Sequence, residues 1–374
     1  MILTQCAVCA TELGLTLGKK CGRCSTRYCG PACQAQHWKE GGHDNLCKKI
    51  KKTGGAEQYN ANKRYTEAVA VAVEKCADDT KGQTCFICTQ ALHWKTKEGL
   101  VRGCSCRGTA GFAHVSCLAE QAKILFAEAE ENNLDANVIS ERFKRWSSCS
   151  LCEQQYHGVV YCALTWACWK TYVGRPEADQ IRSMAMGVLG NGLSDAGHHE
   201  DALSVKEAEF TMMRRFSGSA RNILLVQGNL ANTYAELGHS EKAIRMRQEV
   251  YSGCLRLEGE DDEGTLCAAY NYAVSLVTLE RLEEAKALIN RSLPVARRVL
   301  GDSHNLTLEM RWKYAEALCR DDSATLDDLS EAVSTLEDAG RIARRVLGGA
   351  HPLTVGIGEA LRTVRAGLRA REHS

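Results

Sequence analysis

The apolar residues in the second half of the chain follow the period of an α-helix. One stripe consists of Ala285, Leu288, Ile289, Leu293, Ala296, Val299 and Leu300. Side chains at this spacing share one face, so the pattern predicts an amphipathic helix that buries it. Residues 158–169 are instead apolar almost throughout. These 12 residues are too few to span a bilayer, and they predict a buried helix.

The pattern of apolar and polar positions repeats along the chain. The segments "AGHHEDALSV", "LGHSEKAIRM" and "LERLEEAKAL" begin at Ala196, Leu237 and Leu279, at offsets of 41 and 42 residues. Three later segments place equivalent threonines at Thr265, Thr307 and Thr354, and an insertion over residues 320–329 accounts for the longer last interval. A period near 42 predicts stacked helix pairs, because one pair cannot bury its apolar face alone.

These repeats resemble tetratricopeptide (TPR) repeats of the kinesin-light-chain kind. The resemblance rests on "YAVSLVTLERLEEAKALINRSLPVARRVLGDSH", residues 272–304, and "ARRVLGGAHPLT", residues 343–354, and it covers roughly residues 175–365. It implies an α-solenoid whose concave groove binds an extended peptide or a partner helix. The alternative is a helical spacer without a ligand.

Composition narrows the class of protein. The chain has only four prolines, and a quarter of its 374 residues are charged. This composition is typical of a largely helical soluble protein, and the length suits two or three domains. The net charge is +1, although residues 1–84 carry 13 Lys and Arg against 8 Asp and Glu. The basic run is Lys48, Lys49, Lys51 and Lys52. We expect a solvated face there and no nucleic-acid partner.

Cysteine is the most unusual component of the sequence. The chain has 20 cysteines, and fourteen of them stand at short, regular spacings before residue 153. The first residues lack the basic and apolar regions of a signal peptide, so we expect a reducing compartment, the cytoplasm or alternatively the nucleus. Thiols in such a compartment predict zinc sites and not disulfides. The other six are predicted to be small core residues: Cys76, Cys162, Cys168, Cys254, Cys267 and Cys319.

The first cysteine cluster has eight ligand-type residues, enough for two four-coordinate zinc ions. They are Cys6, Cys9, Cys21, Cys24, Cys29, Cys33, His43 and Cys47. Cys-x2-Cys turns let two sulfur atoms reach one tetrahedral zinc ion. A segment with so few large apolar residues needs metal binding to fold.

The segment "RYCGPACQAQHW", residues 27–38, with His43-x3-Cys47 after it, resembles the MYND finger family. The resemblance implies interleaved ligands. Cys6, Cys9, Cys29 and Cys33 share one zinc ion, and Cys21, Cys24, His43 and Cys47 share the other. His37 is the alternative imidazole ligand, because four residues separate Trp38 from His43 where the family has about two. The family generally binds short proline-containing peptides, which implies a protein-recognition module.

The second cluster again has eight ligands, in the order C4HC3. They are Cys85, Cys88, Cys104, Cys106, His114, Cys117, Cys149 and Cys152. The segment "CSCRGTAGFAHVSCL", residues 104–118, resembles the RING-CH (RING-variant) family, and plant homeodomain (PHD) fingers share the ligand order. The RING-CH resemblance implies one zinc ion on Cys85, Cys88, His114 and Cys117, and another on Cys104, Cys106, Cys149 and Cys152.

The RING-CH resemblance also implies an E3 ubiquitin ligase that binds a ubiquitin-charged E2 enzyme. Its expected E2 contacts are an apolar residue inside the first Cys-x2-Cys, which is Ile87, and a tryptophan soon after the Cys-Leu pair. Gln121 stands at the second position. Trp146 is the other candidate, or it packs against the zinc core. Catalysis by such a domain comes from positioning, because closed zinc sites offer no place for a nucleophilic water.

Together these patterns predict a mainly α protein with two small cross-brace zinc domains followed by an α-solenoid. We expect a MYND finger over 1–50, a helical connector over 51–84, a RING-CH-like domain over 85–157 and helical repeats over 158–370. The protein is then an adaptor that binds about four zinc ions per chain and has no catalytic side chain. Its expected partners are proteins or peptides, an E2 enzyme among them, and we expect no membrane contact. The alternatives are a non-enzymatic scaffold with a purely structural second zinc domain, or a chromatin reader with a PHD-type finger.

Overall fold

The computed structural model describes residues 4–11, 13–14, 17–216, 218–321, 323–349 and 351–372. The part of the chain that it describes contains fifteen α-helices and one two-stranded sheet. The chain divides into two compact units, Met1–Gly218 and Ser219–Ser374, and each is described by itself.

The first unit begins with a small domain in which half of the buried core residues are cysteines. Strands β1 (Lys19–Lys20) and β2 (Arg27–Tyr28) pair antiparallel, with Lys19 opposite Tyr28. Helices α1 (Pro31–Lys39) and α2 (His43–Lys52) follow. Its core cluster contains Cys6, Cys21, Cys24 and Cys47 among only eight buried residues. So small an apolar core cannot stabilise the domain without metal ions.

Helix α3 (Ala56–Lys75) connects the two cysteine-rich regions. It lies within the helical connector predicted over 51–84 and begins directly after Gly54 and Gly55. Both glycines have positive φ, 101° and 103°, and so turn the chain sharply at the helix start.

The second cysteine-rich region contains two helices and a short 3₁₀ turn. They are α4 (Val115–Glu131), α5 (Ala136–Phe143) and the turn Lys144–Trp146. Asp135 caps α5, because its carboxylate accepts hydrogen bonds from the backbone N–H groups of Asn137 and Val138.

Three more helices complete the first unit: α6 (Gly158–Tyr172), α7 (Gln180–Asp195) and α8 (His199–Arg215). Helix α6 packs against α3, α4 and α7, and most of its residues are buried. The prediction of a buried helix at 158–169 is confirmed. Gly192 of α7 permits a close approach to α6, because a Cβ atom there would lie 2.4 Å from the Thr165 Oγ1 atom.

The second unit is a series of seven helices. They are α9 (Ala220–Glu236), α10 (Ser240–Glu258), α11 (Glu263–Thr278), α12 (Leu282–Val299), α13 (Asn305–Cys319), α14 (Leu326–Leu347) and α15 (Pro352–Glu372). Each helix packs against the next one along the chain, and α13 also contacts α11 and α15. This arrangement is that of stacked helical hairpins.

The turns between helices repeat with the period found in the sequence. Gly197, Gly238 and Glu280 each have positive φ, at 79°, 78° and 57°, directly after α7, α9 and α11. In each turn the next residue donates its backbone N–H to a carbonyl five residues earlier, for example His239 to Tyr234 at 2.8 Å. The 320–329 insertion lies at the α13–α14 turn, where Thr325 and Asp328 form a capping box. The predicted fold class, mainly α with two small zinc domains and helical hairpins, is confirmed.

Candidate metal centres

The sixteen predicted ligands lie in four groups of four. Centre 1 is Cys6, Cys9, Cys29 and Cys33; centre 2 is Cys21, Cys24, His43 and Cys47; centre 3 is Cys85, Cys88, His114 and Cys117; centre 4 is Cys104, Cys106, Cys149 and Cys152. Within each centre the four ligand atoms lie within 4.8 Å of one another. The ligands of centres 1 and 2 alternate along the chain in pairs, as do those of centres 3 and 4. The pair of centres 1 and 2 and the pair of centres 3 and 4 are therefore both cross-braces.

The four Cys-x2-Cys motifs adopt the same turn. In each, the first cysteine donates its backbone N–H to the carbonyl five residues later, and the residue four positions later donates back to that cysteine's carbonyl. The residue at the fourth position has positive φ in every case: Ala10, Ser25, Thr89 and Glu153, at 56° to 64°. A non-glycine residue in this conformation carries strain, so the surrounding structure must favour the turn.

Helices supply ligands from their first turns. Cys29 and Cys33 flank the start of α1, where Pro31 is the first helical residue. His43 and Cys47 lie four residues apart at the beginning of α2, so both side chains point from one face of the helix. His114 is the N-terminal flanking residue of α4 and Cys117 lies in its first turn.

The distances between ligand atoms suit zinc. Tetrahedral zinc with Zn–S bonds of about 2.3 Å holds two sulfur atoms about 3.8 Å apart. The Cys21–Cys47, Cys9–Cys33 and Cys106–Cys149 sulfur atoms are each 3.8 Å apart. A disulfide needs about 2.05 Å, so none of these pairs is bonded.

Backbone donors favour the thiolate state that zinc binding requires. Burial raises the pKa of the Cys6 thiol, but backbone N–H groups of Cys9, Cys29 and Val8 act more strongly together and bring it to about 6. In the same centre the neighbouring Cys29 side chain raises the pKa of Cys33 to about 12. The pKa of the Cys29 thiol is raised as well, so adding further negative sulfur atoms to this centre is unfavourable without a cation beside them. The donor set fits a divalent metal ion.

The two histidines face their centres through different ring nitrogens. His43 Nε2 lies 3.4 Å from Cys24 Sγ, while His114 Nδ1 lies 3.4 Å from Cys88 Sγ and 3.6 Å from Cys117 Sγ. The other nitrogen of His114, Nε2, lies 3.4 Å from the Ala91 carbonyl, which fixes the ring orientation. Burial lowers the pKa of both imidazoles, which keeps them in the neutral form that binds metal.

His37 lies beside centre 2 but outside its ligand set. Its Nδ1 atom lies 3.0 Å from the Tyr28 hydroxyl, and its ring centroid is 4.8 Å from that of His43. Tyr28 is fully buried. In this position His37 supports the imidazole of His43 through packing.

Two threonines that contact ligand sulfurs were not identified from the sequence. The Thr11 hydroxyl lies 3.0 Å from Cys9 Sγ, and the Thr26 hydroxyl lies 3.1 Å from Cys24 Sγ. Each can donate a hydrogen bond to a thiolate and so reduce its charge. The repeated motif Cys-x2-Cys-x-Thr, in "CAVCAT" and "CGRCST", is the signal that identifies them.

The centres differ in their exposure to solvent. All four ligands of centre 2 are buried, whereas Cys9 and Cys29 of centre 1 are exposed and Cys33 is half-buried. Centre 1 is therefore the most accessible of the four. Its metal ion is the one that reagents in solution reach first.

The two candidate E2 contacts lie in opposite environments. Ile87 is at the tip of the first knuckle of centre 3, with 37% of its surface exposed. Trp146 has no exposed surface and packs against Tyr172, with ring centroids 5.8 Å apart. A fully buried side chain cannot contact a partner protein, so Trp146 is not an E2-binding residue. The other tryptophan of this domain, Trp94, is 68% exposed.

The other six cysteines lie away from these centres. Cys76, Cys162 and Cys168 are buried, Cys254 and Cys319 are half-buried, and Cys267 is exposed. The prediction that all six are core residues is therefore wrong for Cys267. Within the described residues, no helix combines the length and the apolar character needed to cross a membrane.

Comparison with known families supports the two zinc domains. Residues 6–47 match the family model of the MYND finger, and residues 85–152 match that of the RING-variant domain. Each match extends from the first to the last ligand of its cross-brace, so the predicted resemblances are confirmed. The second match favours the RING-CH interpretation over the PHD finger. No curated protein matches the chain in sequence.

Similar solved structures are helical repeat proteins. A putative kinesin light chain of Podosopora anserina with nearly identical TPR-like repeats is 15% identical, over 62% of this chain and 97% of that one, with a TM-score of 0.42. BtubC (BKLC) from P. vanneervenii is 12% identical, over 68% of this chain and 91% of that one, with a TM-score of 0.35. The family matches and the four ligand groups together show two zinc-binding regions, of the MYND and RING-variant kinds.

Proposed function

We propose that this protein is an adaptor-type E3 ubiquitin ligase. Residues 85–152 recruit a ubiquitin-charged E2 enzyme, and the MYND finger or the repeats select the substrate. The cross-brace of centres 3 and 4 carries the proposal, because it presents Ile87 to solvent on a zinc-fixed turn within a RING-variant match. The proposed domains are 1–50, 51–84, 85–157 and 158–370, in the order finger, connector, RING-variant domain and repeats.

The proposed reaction needs no catalytic side chain of this protein. A lysine amine of the substrate attacks the carbonyl carbon of the E2–ubiquitin thioester. The new C–N bond forms as the C–S bond breaks, and the leaving E2 thiolate accepts the proton that the amine loses. Each zinc centre has four protein ligands, which complete a tetrahedral shell. The protein therefore contributes by holding the thioester near the amine, an effect of proximity and orientation.

The state of the cysteines supports a cytoplasmic or nuclear location. None of the 20 cysteines is in a disulfide. A disulfide-free protein with fourteen ligand thiolates suits a reducing compartment, where zinc sites are not lost to oxidation. An E2 enzyme and substrate proteins are the proposed partners there.

A non-enzymatic scaffold is the second candidate function. It is favoured by the side chain of Gln121, which stands where the family resemblance expects a tryptophan and lies 3.3 Å from the Ser150 hydroxyl. A domain without this contact serves as a rigid joint between the finger and the helices. The ligase and the scaffold differ in one measurable activity, the transfer of ubiquitin from an E2 enzyme.

Self-ubiquitination of the full chain distinguishes them. The purified protein is incubated with E1, ubiquitin, ATP and each member of a broad E2 panel. We expect ubiquitin chains on the wild type and their loss in Ile87→Ala with four zinc ions retained. Ile124→Ala is the matched control, since it removes an equally branched, exposed side chain from α4 of the same domain. Silence of the wild type across the panel would leave the scaffold as the function.

A further inference from the structure

Trp94 is the most exposed large apolar side chain in the described part of the protein. Its exposed fraction is 68%, and that of Leu92, two residues earlier, is 58%. Tryptophan is highly buried on average, and exposed apolar clusters commonly mark binding sites. Between them, His93 is buried. The chain thus turns the polar ring inward and both apolar side chains outward.

The loop that carries Trp94 is held rigidly. His93 donates its backbone N–H to Glu98, and Lys97 donates back to the His93 carbonyl, at 3.0 and 2.9 Å. The His93 Nδ1 atom accepts from the backbone N–H of Thr96 at 3.1 Å. A loop ordered before binding loses little conformational entropy when a partner docks.

The same loop is attached to the metal-ligand framework. The Glu98 carboxylate accepts hydrogen bonds from the backbone N–H and hydroxyl of Ser116, at 2.7 and 2.8 Å, in the first turn of α4. The His93 ring packs on the His114 ring with centroids 5.3 Å apart. The loop that carries Trp94 is therefore fixed relative to centre 3.

A continuous set of contacts joins Trp94 to Ile87. The Trp94 ring lies 6.0 Å from His93, which contacts His114, and His114 faces Cys88, the neighbour of Ile87. Leu92 follows Ala91, whose carbonyl lies 3.4 Å from His114 Nε2. The three exposed side chains, Ile87, Leu92 and Trp94, thus stand on segments of the chain that contact or supply ligands of centre 3.

We propose that Trp94 and Leu92 extend the Ile87 surface and supply the aromatic anchor for the E2 enzyme. This inference rests on the proposed function and adds the residues that bind the partner. The usual tryptophan position holds Gln121, and Trp146 is buried, so Trp94 is the exposed tryptophan of this domain. Buried tryptophan anchors at the centre of an interface commonly dominate its affinity.

The test measures E2 binding and ubiquitin transfer with the full-length, zinc-loaded chain. An E2 that supports self-ubiquitination is titrated against the immobilised protein, and discharge of its ubiquitin thioester to free lysine is followed in parallel. We expect Trp94→Ala to weaken binding by roughly tenfold or more. Leu92→Ser should weaken it less, and Trp94→Phe should retain part of the affinity. Ile124→Ala is the control at an exposed position on α4, and zinc content is measured for every variant.

The outcomes separate the surface from the proposed function. If no E2 binds the wild type, both the ligase proposal and the Trp94 surface are wrong. If an E2 binds the wild type and Trp94→Ala equally well, the surface is wrong and the ligase proposal stands. If Trp94→Ala instead abolishes self-association of the wild type and leaves E2 binding intact, the surface serves a second copy of the chain and its assignment to the E2 is overturned.

Discussion

Replacing Trp146 with alanine removes one of the two largest fully buried side chains in the described part of the protein. Its indole packs in an aromatic group with Tyr172, and Tyr172 contacts Phe126 and Phe143 at ring-centroid distances of 5.6 and 6.0 Å. A tryptophan buries roughly 150–250 Å². At about 25 cal/mol per Å² this burial stabilises the folded state by roughly 4–6 kcal/mol.

We expect Trp146→Ala to lower the free energy of unfolding by about 3–5 kcal/mol, since the methyl group of alanine fills little of the space. The change is large against a total stability of about 5–15 kcal/mol. The 3₁₀ turn that ends at Trp146 leads directly to Cys149, with Ser148 donating its backbone N–H to Lys144 at 2.8 Å. Zinc affinity at centre 4 should therefore fall as well.

The assay is urea unfolding followed by circular dichroism in buffer with excess zinc, combined with zinc analysis after dialysis. Trp94→Ala is the matched control, because the same substitution at a 68% exposed position should change stability by no more than about 0.5 kcal/mol. A loss below about 1 kcal/mol for Trp146→Ala, or an equal loss in both variants, would refute the assignment of Trp146 to the core.

Three further predictions concern the metal ions, helix packing and pH. Zinc analysis should find about four ions per chain. A chelator should remove the ion of the exposed centre 1 before the other three, and simultaneous release of all four ions would contradict this order. Gly192→Ala should lower the free energy of unfolding by about 1–3 kcal/mol, because its Cβ atom would lie 2.4 Å from Thr165 Oγ1. Gly228→Ala is the control and should be neutral or stabilising, because the nearest neighbour of its Cβ atom, Val250, lies 3.9 Å away. Equal unfolding midpoints for the two variants would exclude the clash. Burial raises the pKa of Glu209 from 4.5 to about 8, although Lys206 opposes the shift. The native state thus keeps this carboxyl protonated, and wild-type stability falls as pH rises from about 4.5 toward about 8. Urea unfolding at pH 6, 7 and 8 should show Glu209→Gln gaining on the wild type, by up to about 1.4 kcal/mol per pH unit, and a constant difference would rule out the buried acid.

The metal centres and the repeats are the parts of the structure that local sequence determines. Cys-x2-Cys spacing fixes a turn of known form, and all four motifs adopt it with the fourth residue at positive φ. The 42-residue period likewise depends on local turns, and its positions 197, 238 and 280 have equivalent backbone conformations. The third turn has Glu280 where the other two have glycine. Its equivalence to Gly197 and Gly238 therefore follows from the alignment of the repeats and not from residue type.

Tertiary packing decided what local sequence could not. The role of Trp146 depends on Tyr172, which lies on a helix beyond the last zinc ligand. The boundary between compact units lies at 218, inside the predicted repeat range 158–370, because α6 packs against α3. This contact joins residues about 100 positions apart, and neither helix carries a sequence signal for the other. The exposure of Trp94 likewise depends on the inward-facing ring of His93.

Each metal centre joins two parts of the chain that are distant in sequence. Cys9 and Cys29 are 20 residues apart, Cys88 and His114 are 26 apart, and Cys106 and Cys149 are 43 apart. A zinc ion thus acts as a cross-link that restricts the unfolded chain, and the restriction grows slowly with the length of the closed loop. Centre 4 closes the longest of these loops, which contains α4, α5 and Trp146. The amount of folded second domain in a cell therefore follows the supply of free zinc, as for any ligand that binds only the native state.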